Sequence, residues 1–241
     1  TGFNGGKDMK FTAAGDMIIQ KRIAQDYEGF KELSPFIKQG DARFFNLETT
    51  LNHEGETCAS QFSGGTYLRT NPEVLEDIKP FGFNMTTFNN NHAMDFSYGG
   101  LEITLDALNK SGLIHSGVGR NLAEASAPKY LETKNGRVAL ISVCTSFEPA
   151  MMAGEQSPRV KGRAGVNGLR IEKRIELKKE DHEVIKRIAK ETNIKAEKEI
   201  VRAEGYYPQL KDGEAEFGEI KITEGEEHRY IMSLNEQDMK R

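Results

Sequence analysis

The chain has 241 residues, a net charge of −4 and charges of both signs mixed along most of its length. That length can bury one sizeable core, or a core with an appendage. The mildly acidic balance argues against nucleic acid as the main partner, because a phosphate-binding surface needs a basic excess. No apolar run approaches the ~20 residues that span a bilayer, and no C-x-x-C pair supports a thiolate zinc site.

The opening TGFNGGKDMKF lacks an initiator Met, is Gly-rich and carries no signal-peptide pattern, so it reads as a boundary and the compartment stays open. The first β-like run, MKFTAA, leads into Gly15-Asp16. The second, ARFF, leads into Asn46-Leu47-Glu48. Asn71-Pro72 places a cap and an N1 proline before the helical EVLEDIK. The third β-like run, FNMTTF, leads into Asn89-Asn90-Asn91-His92-Ala93-Met94-Asp95. Ser97 then caps a helix with Leu101, Leu105 and Leu108 on one stripe and Gly112 near its end. Further β-like runs fall around Leu113–His115 and Val138–Val143, and Asn121 with Glu124 makes a capping box between them. Strands alternating with helices predict an α/β fold with parallel pairing.

From residue 171 the composition changes. Nearly half of 171–241 is charged, against about a fifth before it, which marks a different surface environment. A helix is expected over Asp181–Glu191 with Val184, Ile185, Ile188 and Ala189 on its apolar stripe. A polar appendage with a short hairpin follows, and then a short helix capped by Asn235. His182 and His228 sit in charged surroundings and read as solvated. Two units are therefore expected, 8–170 and a charged extension 171–241, with the natural chain continuing beyond it. Cys144 ends an apolar run and reads as a small buried hydrophobe. Whether it meets Cys58 is left open.

In open α/β sheets ligands collect outside the carboxyl ends of strands. Asp16, Glu48 and the Asn-rich stretch all fall at such ends, so three distant segments are expected on one edge. Asp16, Glu48, Asn91 and His92 form an oxygen-rich set with one nitrogen, which suits Mg, Mn, Fe or Zn. Asp95, three residues after His92, is placed to orient the imidazole. The plainer alternative makes Gly-Asp a turn, the Asn run a loop and Asp95 a helix cap. Arg69 has the fork to bind a substrate carboxylate, or is an exposed arginine on a strand edge. SGVGRN (116–121) reads as a tight turn rather than an anion cradle, since Leu122 stands where a third glycine would be. His53 and His115 read as structural.

The ordered series GDM (15–17), FFNLETTL (44–51), YLRTNPEVLEDIKPFGFNMTTFNNNHAMDFSYGGLEITLDAL (67–108), SGVGRNLAEASAP (116–128) and GRAGVNGLR (162–170) resembles the bacterial poly-γ-glutamate capsule biosynthesis family (CapA, PGA_cap). The likeness covers roughly 10–170, and RAEGYYP (202–208) resembles an extension in some members. The resemblance implies an α/β, metallophosphoesterase-like layered sandwich of β-sheets flanked by helices, incomplete here at its C-terminal end. It implies Asp16, Glu48, Asn46 and Asn91 as ligands to one or two divalent ions, and His92 as proton donor or transition-state stabiliser. Ile18 stands where the phosphoesterases carry a histidine ligand, Asn89 and Ser97 stand where the family more often has Ala and Gly, and the family's later His motifs are not found before Arg241.

The implied function is a metal-dependent enzyme acting on an amide or acyl linkage of an anionic glutamyl polymer. The alternatives are a phosphoesterase and a non-catalytic component that binds the polymer or other capsule-synthesis partners. The resemblance also implies the cell envelope or its outer face, with the cytoplasm left open.

Overall fold

A computed structural model describes residues 8–24, 26–63 and 65–241. The chain divides into two compact units, 1–169 and 170–241.

The first unit opens with β1 (Phe11–Met17), α1 (Gly29–Ile37) and β2 (Ala42–Leu47), followed by the short strands β3 (Thr50–Leu51) and β4 (Arg69–Thr70). Then come α2 (Val74–Ile78), β5 (Met85–Thr87), α3 (Ser97–Ser111), β6 (Ile114–Ser116), β7 (Val118–Gly119), α4 (Leu122–Ser126), the hairpin β8 (Lys129–Thr133) and β9 (Gly136–Leu140), and β10 (Gly165–Val166). Strands β1, β2, β5 and β6 form one four-stranded sheet in that order. Every pair in it is parallel. Parallel neighbours need crossovers, and the helical segments between the strands supply them. The expected α/β class is therefore present.

The core explains why these segments fold as they do. Leu101, Leu105 and Leu108 recur at helical spacing, and all three are at most 2% exposed. They pack with Phe45 and Leu47 of β2, Val74, Leu75 and Ile78 of α2, and Phe88 and Met94 of the Asn-rich loop. Burying each such side chain is worth about 1.5–3 kcal/mol, so the loop that follows β5 is anchored by the same core that holds α3.

Several local expectations need correction. Ser97 is not a cap: it is the first residue of α3 at φ 54°, Phe96 occupies the cap position, and no side chain caps this end. The turn over 92–95 runs straight into the helix, with Ser97 N–H donating to Met94 O, so no extended cap residue fits between them. Asn71 likewise caps α2 only through its backbone carbonyl, which accepts from Val74 N. The run around Val138–Val143 gives β9, which pairs antiparallel with β8 and lies outside the four-stranded sheet. By contrast, Gly112 ends α3 at φ 80°, and the Asn121 side chain accepts from Glu124 N at 2.9 Å. Glu124 reaches back to Arg120 N rather than Asn121 N, at 2.9 Å.

The second unit contains β11 (Ile171–Leu177), α5 (Lys179–Glu191), α6 (Ala196–Ala203), β12 (Glu214–Phe217), β13 (Ile220–Glu224), β14 (Arg229–Leu234) and α7 (Glu236–Met239). Its sheet runs β12-β13-β11-β14 and is mixed, with β11 parallel to β13 and antiparallel to β14. The expected hairpin is β12–β13, where Ala215 opposite Ile222 forms buried core. Asn235 caps α7 as expected, accepting from Gln237 N and Asp238 N. Arg170 clamps that helix through Asp238 with bonds of 2.8 and 2.9 Å, and the guanidinium holds the Asp238 carboxyl below its ordinary range.

His182 is not solvated. It is 1% exposed and shares a face of α5 with Ile185 and Ala189, at spacings of three and seven residues, while Val184 is 40% exposed. The run of charges around His182 faces water and hides an apolar stripe that begins one turn early. His228 is solvent-facing and pairs with Asp181 at 2.9 Å.

Candidate functional site

The sheet register fixes the level at which the polar residues stand. Asp16 is the partner of Asn46 across β1 and β2, and Asn46 is the partner of Thr87 across β2 and β5. All three sit at or next to the carboxyl ends of parallel strands, where the chain leaves the sheet. The loop following β5 then brings Asn90, Asn91, His92 and Asp95 to the same edge.

One amide ties this edge together. Asn46 Nδ2 donates to Asp16 Oδ1 at 2.8 Å and to Glu48 Oε2 at 3.0 Å, so a single nitrogen bridges two carboxylates. Asn46 Oδ1 in turn accepts from Asn90 Nδ2 at 2.9 Å. Asn90 Nδ2 also donates to Leu47 O at 2.8 Å, and its Oδ1 accepts from His92 N at 3.1 Å. Asn90 thus fastens the β2 end to the His92 turn. Its placement in a run of three asparagines gives no sign of that task.

His92 is 6% exposed and Asp95 1% exposed. His92 Nδ1 and Asp95 Oδ2 are 2.7 Å apart. Asp95 does not cap α3, since the same oxygen accepts from Leu68 N at 2.8 Å and its carbonyl accepts from Ser60 N. The carboxylate therefore holds the imidazole at Nδ1 and leaves Nε2 facing the Glu48 carboxylate, 3.9 Å away.

Burial pushes the Glu48 carboxyl above its ordinary range, the neighbouring Asp16 carboxyl adds to that rise, and His92 opposes it. Two carboxylates sharing one small space resist joint ionisation unless a positive charge joins them. The Asn46 amide supplies hydrogen bonds but no charge.

Asn91 is half-buried and lines a cleft of about 450 Å³ with Ser63, Thr145, Ser146, Glu148 and Met151. The Thr145–Glu148 wall had no motif to mark it; the only sequence signal is its position after the apolar run that ends at Cys144. That cysteine is 6% exposed, burial raises its thiol pKa, and Cys58 and Cys144 are both free.

The Arg69 guanidinium lies 5.5 Å from the centroid of the Phe96 ring and 3.7 Å from Glu54. Ile18 is 48% exposed. Arg120 of the SGVGRN turn is engaged by Glu102 and Asp106, which removes the charge an anion cradle would use. His53 lies 3.4 Å from Glu73, and His115 bonds Asn109 at 3.1 Å.

The donor chemistry fits one hard, oxygen-preferring divalent ion: two carboxylates, nearby amide groups, and an imidazole whose second nitrogen is already held. Among the described residues no three His, Cys, Asp or Glu side chains group in the manner of a metal site. Asp16 and Glu48 would be the charged ligands; the Asn46 amide turns its nitrogen to both carboxylates and its oxygen to Asn90, so it would have to turn over to join them.

The family model for bacterial capsule synthesis protein PGA_cap matches residues 10–203. The chain belongs to this family. The PGA_cap match runs past the first unit and through α6, further than the motifs alone extend. An uncharacterized protein, y4sH, of Sinorhizobium fredii is 36% identical over 181 residues, 73% of this chain and 39% of its own length. A capsule biosynthesis protein CapA of Bacillus anthracis is 23% identical over 62% of this chain and 38% of its own. A PGA biosynthesis protein CapA of Bacillus subtilis is 27% identical over 44% of this chain and 28% of its own. This PGA_cap chain therefore spans about two-fifths or less of the relatives it matches.

Proposed function

We propose that this PGA_cap protein is a metal-dependent enzyme that acts on an amide or related acyl linkage of an anionic glutamyl polymer. The observation that carries this reading is the paired carboxylates of Asp16 and Glu48 beside an imidazole oriented by a buried carboxylate. That combination separates two tasks on one sheet edge. Asp16 and Glu48, with Asn91 and an Asn46 amide turned over to present its oxygen, would hold a divalent ion, which when bound would supply Lewis-acid polarisation of the acyl oxygen.

His92 handles the proton. With Nδ1 tied to Asp95, the proton that His92 exchanges is carried at Nε2. Water adds to the acyl carbon and releases a proton to solvent; as the carbon–nitrogen bond breaks, Nε2 donates its proton to the departing nitrogen, which cannot leave as an amide anion. The cleft beside Asn91 receives the polymer segment flanking the linkage. Support for the polymer comes from the family and from the names of the two Bacillus relatives.

The test uses the full-length protein with manganese or magnesium and follows new amino ends released from a γ-linked glutamate polymer. Asp95→Asn is expected to lower turnover by roughly 10²–10⁴-fold, the usual worth of a positioned proton donor. Asp16→Asn should abolish the metal dependence. Unchanged turnover in both variants rejects the proposal. Metal-dependent cleavage of an aryl phosphate with the polymer left intact would favour the phosphoesterase alternative, and polymer binding indifferent to chelator the non-catalytic one.

A further inference from the structure

Between the cleft and β10 the chain makes an excursion from Gly154 to Arg163 that the proposed chemistry does not use. It is a built hairpin. Gly154 N donates to Arg163 O at 2.9 Å, and Ser157 N donates to Val160 O at 2.8 Å. Ser157 Oγ accepts from the Arg159 and Val160 amides at 3.3 and 3.2 Å. Gly162 turns the returning arm at φ 86°, where an added Cβ would press on Gly154 O at 2.8 Å and Asn121 Cβ at 2.9 Å. Gln156 is tied to Asn121 at 3.1 Å.

This hairpin displays Arg159, Lys161 and Arg163, all exposed. Its only acidic residue is Glu155, and among the described residues no ion pair engages any of the three cations. Other exposed arginines of the first unit, such as Arg22, Arg120 and Arg137, are each held by a carboxylate. Arg163 links the hairpin to the cleft. Its guanidinium donates to Met152 O at 2.9 and 3.2 Å, one residue from Met151 in the cleft wall. Among the described residues the polar lining of the cleft is hydroxyls, an amide and the Glu148 carboxylate, with no cationic side chain.

We propose that the 154–163 hairpin is a docking arm for a linear polycarboxylate and that it leads the chain toward the cleft beside Asn91. The Arg159 guanidinium offers a fork that matches a carboxylate bidentately, Arg163 keeps its charge while anchored to Met152 O, and the spacing of three cations along a turn suits repeated single charges on a flexible strand. Nucleic acid is the poorer fit, because the chain carries a net charge of −4 and the hairpin offers no aromatic ring for bases to stack on. The identity of the polycarboxylate rests on the glutamyl-polymer reading above. The docking itself is read by binding and needs no turnover.

Fluorescence anisotropy of a labelled γ-linked glutamate oligomer, at low salt and with chelator, measures it. The double variant Arg159→Glu/Lys161→Glu is compared with Lys31→Glu/Lys38→Glu, which makes the same change in net charge on exposed positions of and beside α1. The hairpin variant should bind about tenfold or more weakly, and the α1 variant within about threefold of wild type. Both should keep the wild-type melting temperature, since the substituted side chains are exposed. Absence of wild-type binding, equal losses in the two variants, or tighter wild-type binding to RNA than to the oligomer each overturns the proposal. Hairpin-dependent binding without turnover in any form upholds the docking arm and rejects the catalytic reading.

Discussion

Asn90 joins two segments that are more than forty residues apart, and its hydrogen bonds are divided between an amide, a carbonyl and an amide N–H. Nothing in an asparagine run distinguishes the member with that task, because each has the same donors and acceptors. Only the register between β2 and β5 decides which one meets Asn46. His92 and Asp95 are different, since their spacing of three residues is local and already suggests the pair. Glu48 carries the pH consequence. Its carboxyl is raised in the folded protein, so folding favours its protonated form; that contribution is present below the ordinary value of 4.5 and is lost as pH rises through the folded value. In chelator at about pH 7, Glu48→Gln should therefore raise the melting temperature, and the gain should vanish on acidification to about pH 4. Thermal melts of the two proteins across that range check it. Equal melting temperatures at neutral pH would sink the idea.

At the scale of elements, α3 shows how far periodicity reaches. Its leucine stripe and its C-terminal glycine are local patterns, and both are where the spacing puts them. Its N-terminus is not, because the preceding turn is set by His92, Asp95 and Leu68 rather than by a capping side chain. The result is Ser97 at φ 54°, a left-handed conformation that costs a non-glycine residue about 1–2 kcal/mol. Glycine adopts that conformation without the Cβ penalty. Ser97→Gly is expected to stabilise the protein by about 1 kcal/mol despite the added freedom of the unfolded chain. Urea melts with an unchanged m-value would measure it; a destabilisation would mean that Ser97 is held by a bond worth more than its strain. In α5, the polar residues flanking His182 disguised its membership of the buried face, so the helix was readable and its orientation was not.

For the whole molecule, the mixed charges give little net field, and the concentrated negative charge at the sheet edge is local. A divalent ion binding there should stabilise the folded chain by mass action. At a hundredfold its Kd the gain is about 2.7 kcal/mol, or roughly 5–10 °C in melting temperature for a protein of this size. Asp16→Asn should remove most of that shift, and hydrogen exchange should place the protection in β2 and β5. A shift of the same size in the variant would put the ion elsewhere. Membership of the PGA_cap family and the change of composition near residue 170 operate at this scale as well, and both can be followed along the chain.

By itself the sequence determined the α/β class, the strand ends that carry polar residues, the leucine face of α3 and the family, because each depends on neighbours within a few residues or on motif order. Tertiary structure alone decided that Asn46 bridges the two carboxylates, that Asn90 fastens the His92 turn, that Ser97 is strained, and that His182 is buried. Those outcomes depend on register and packing between segments, and identical short sequences leave both undetermined.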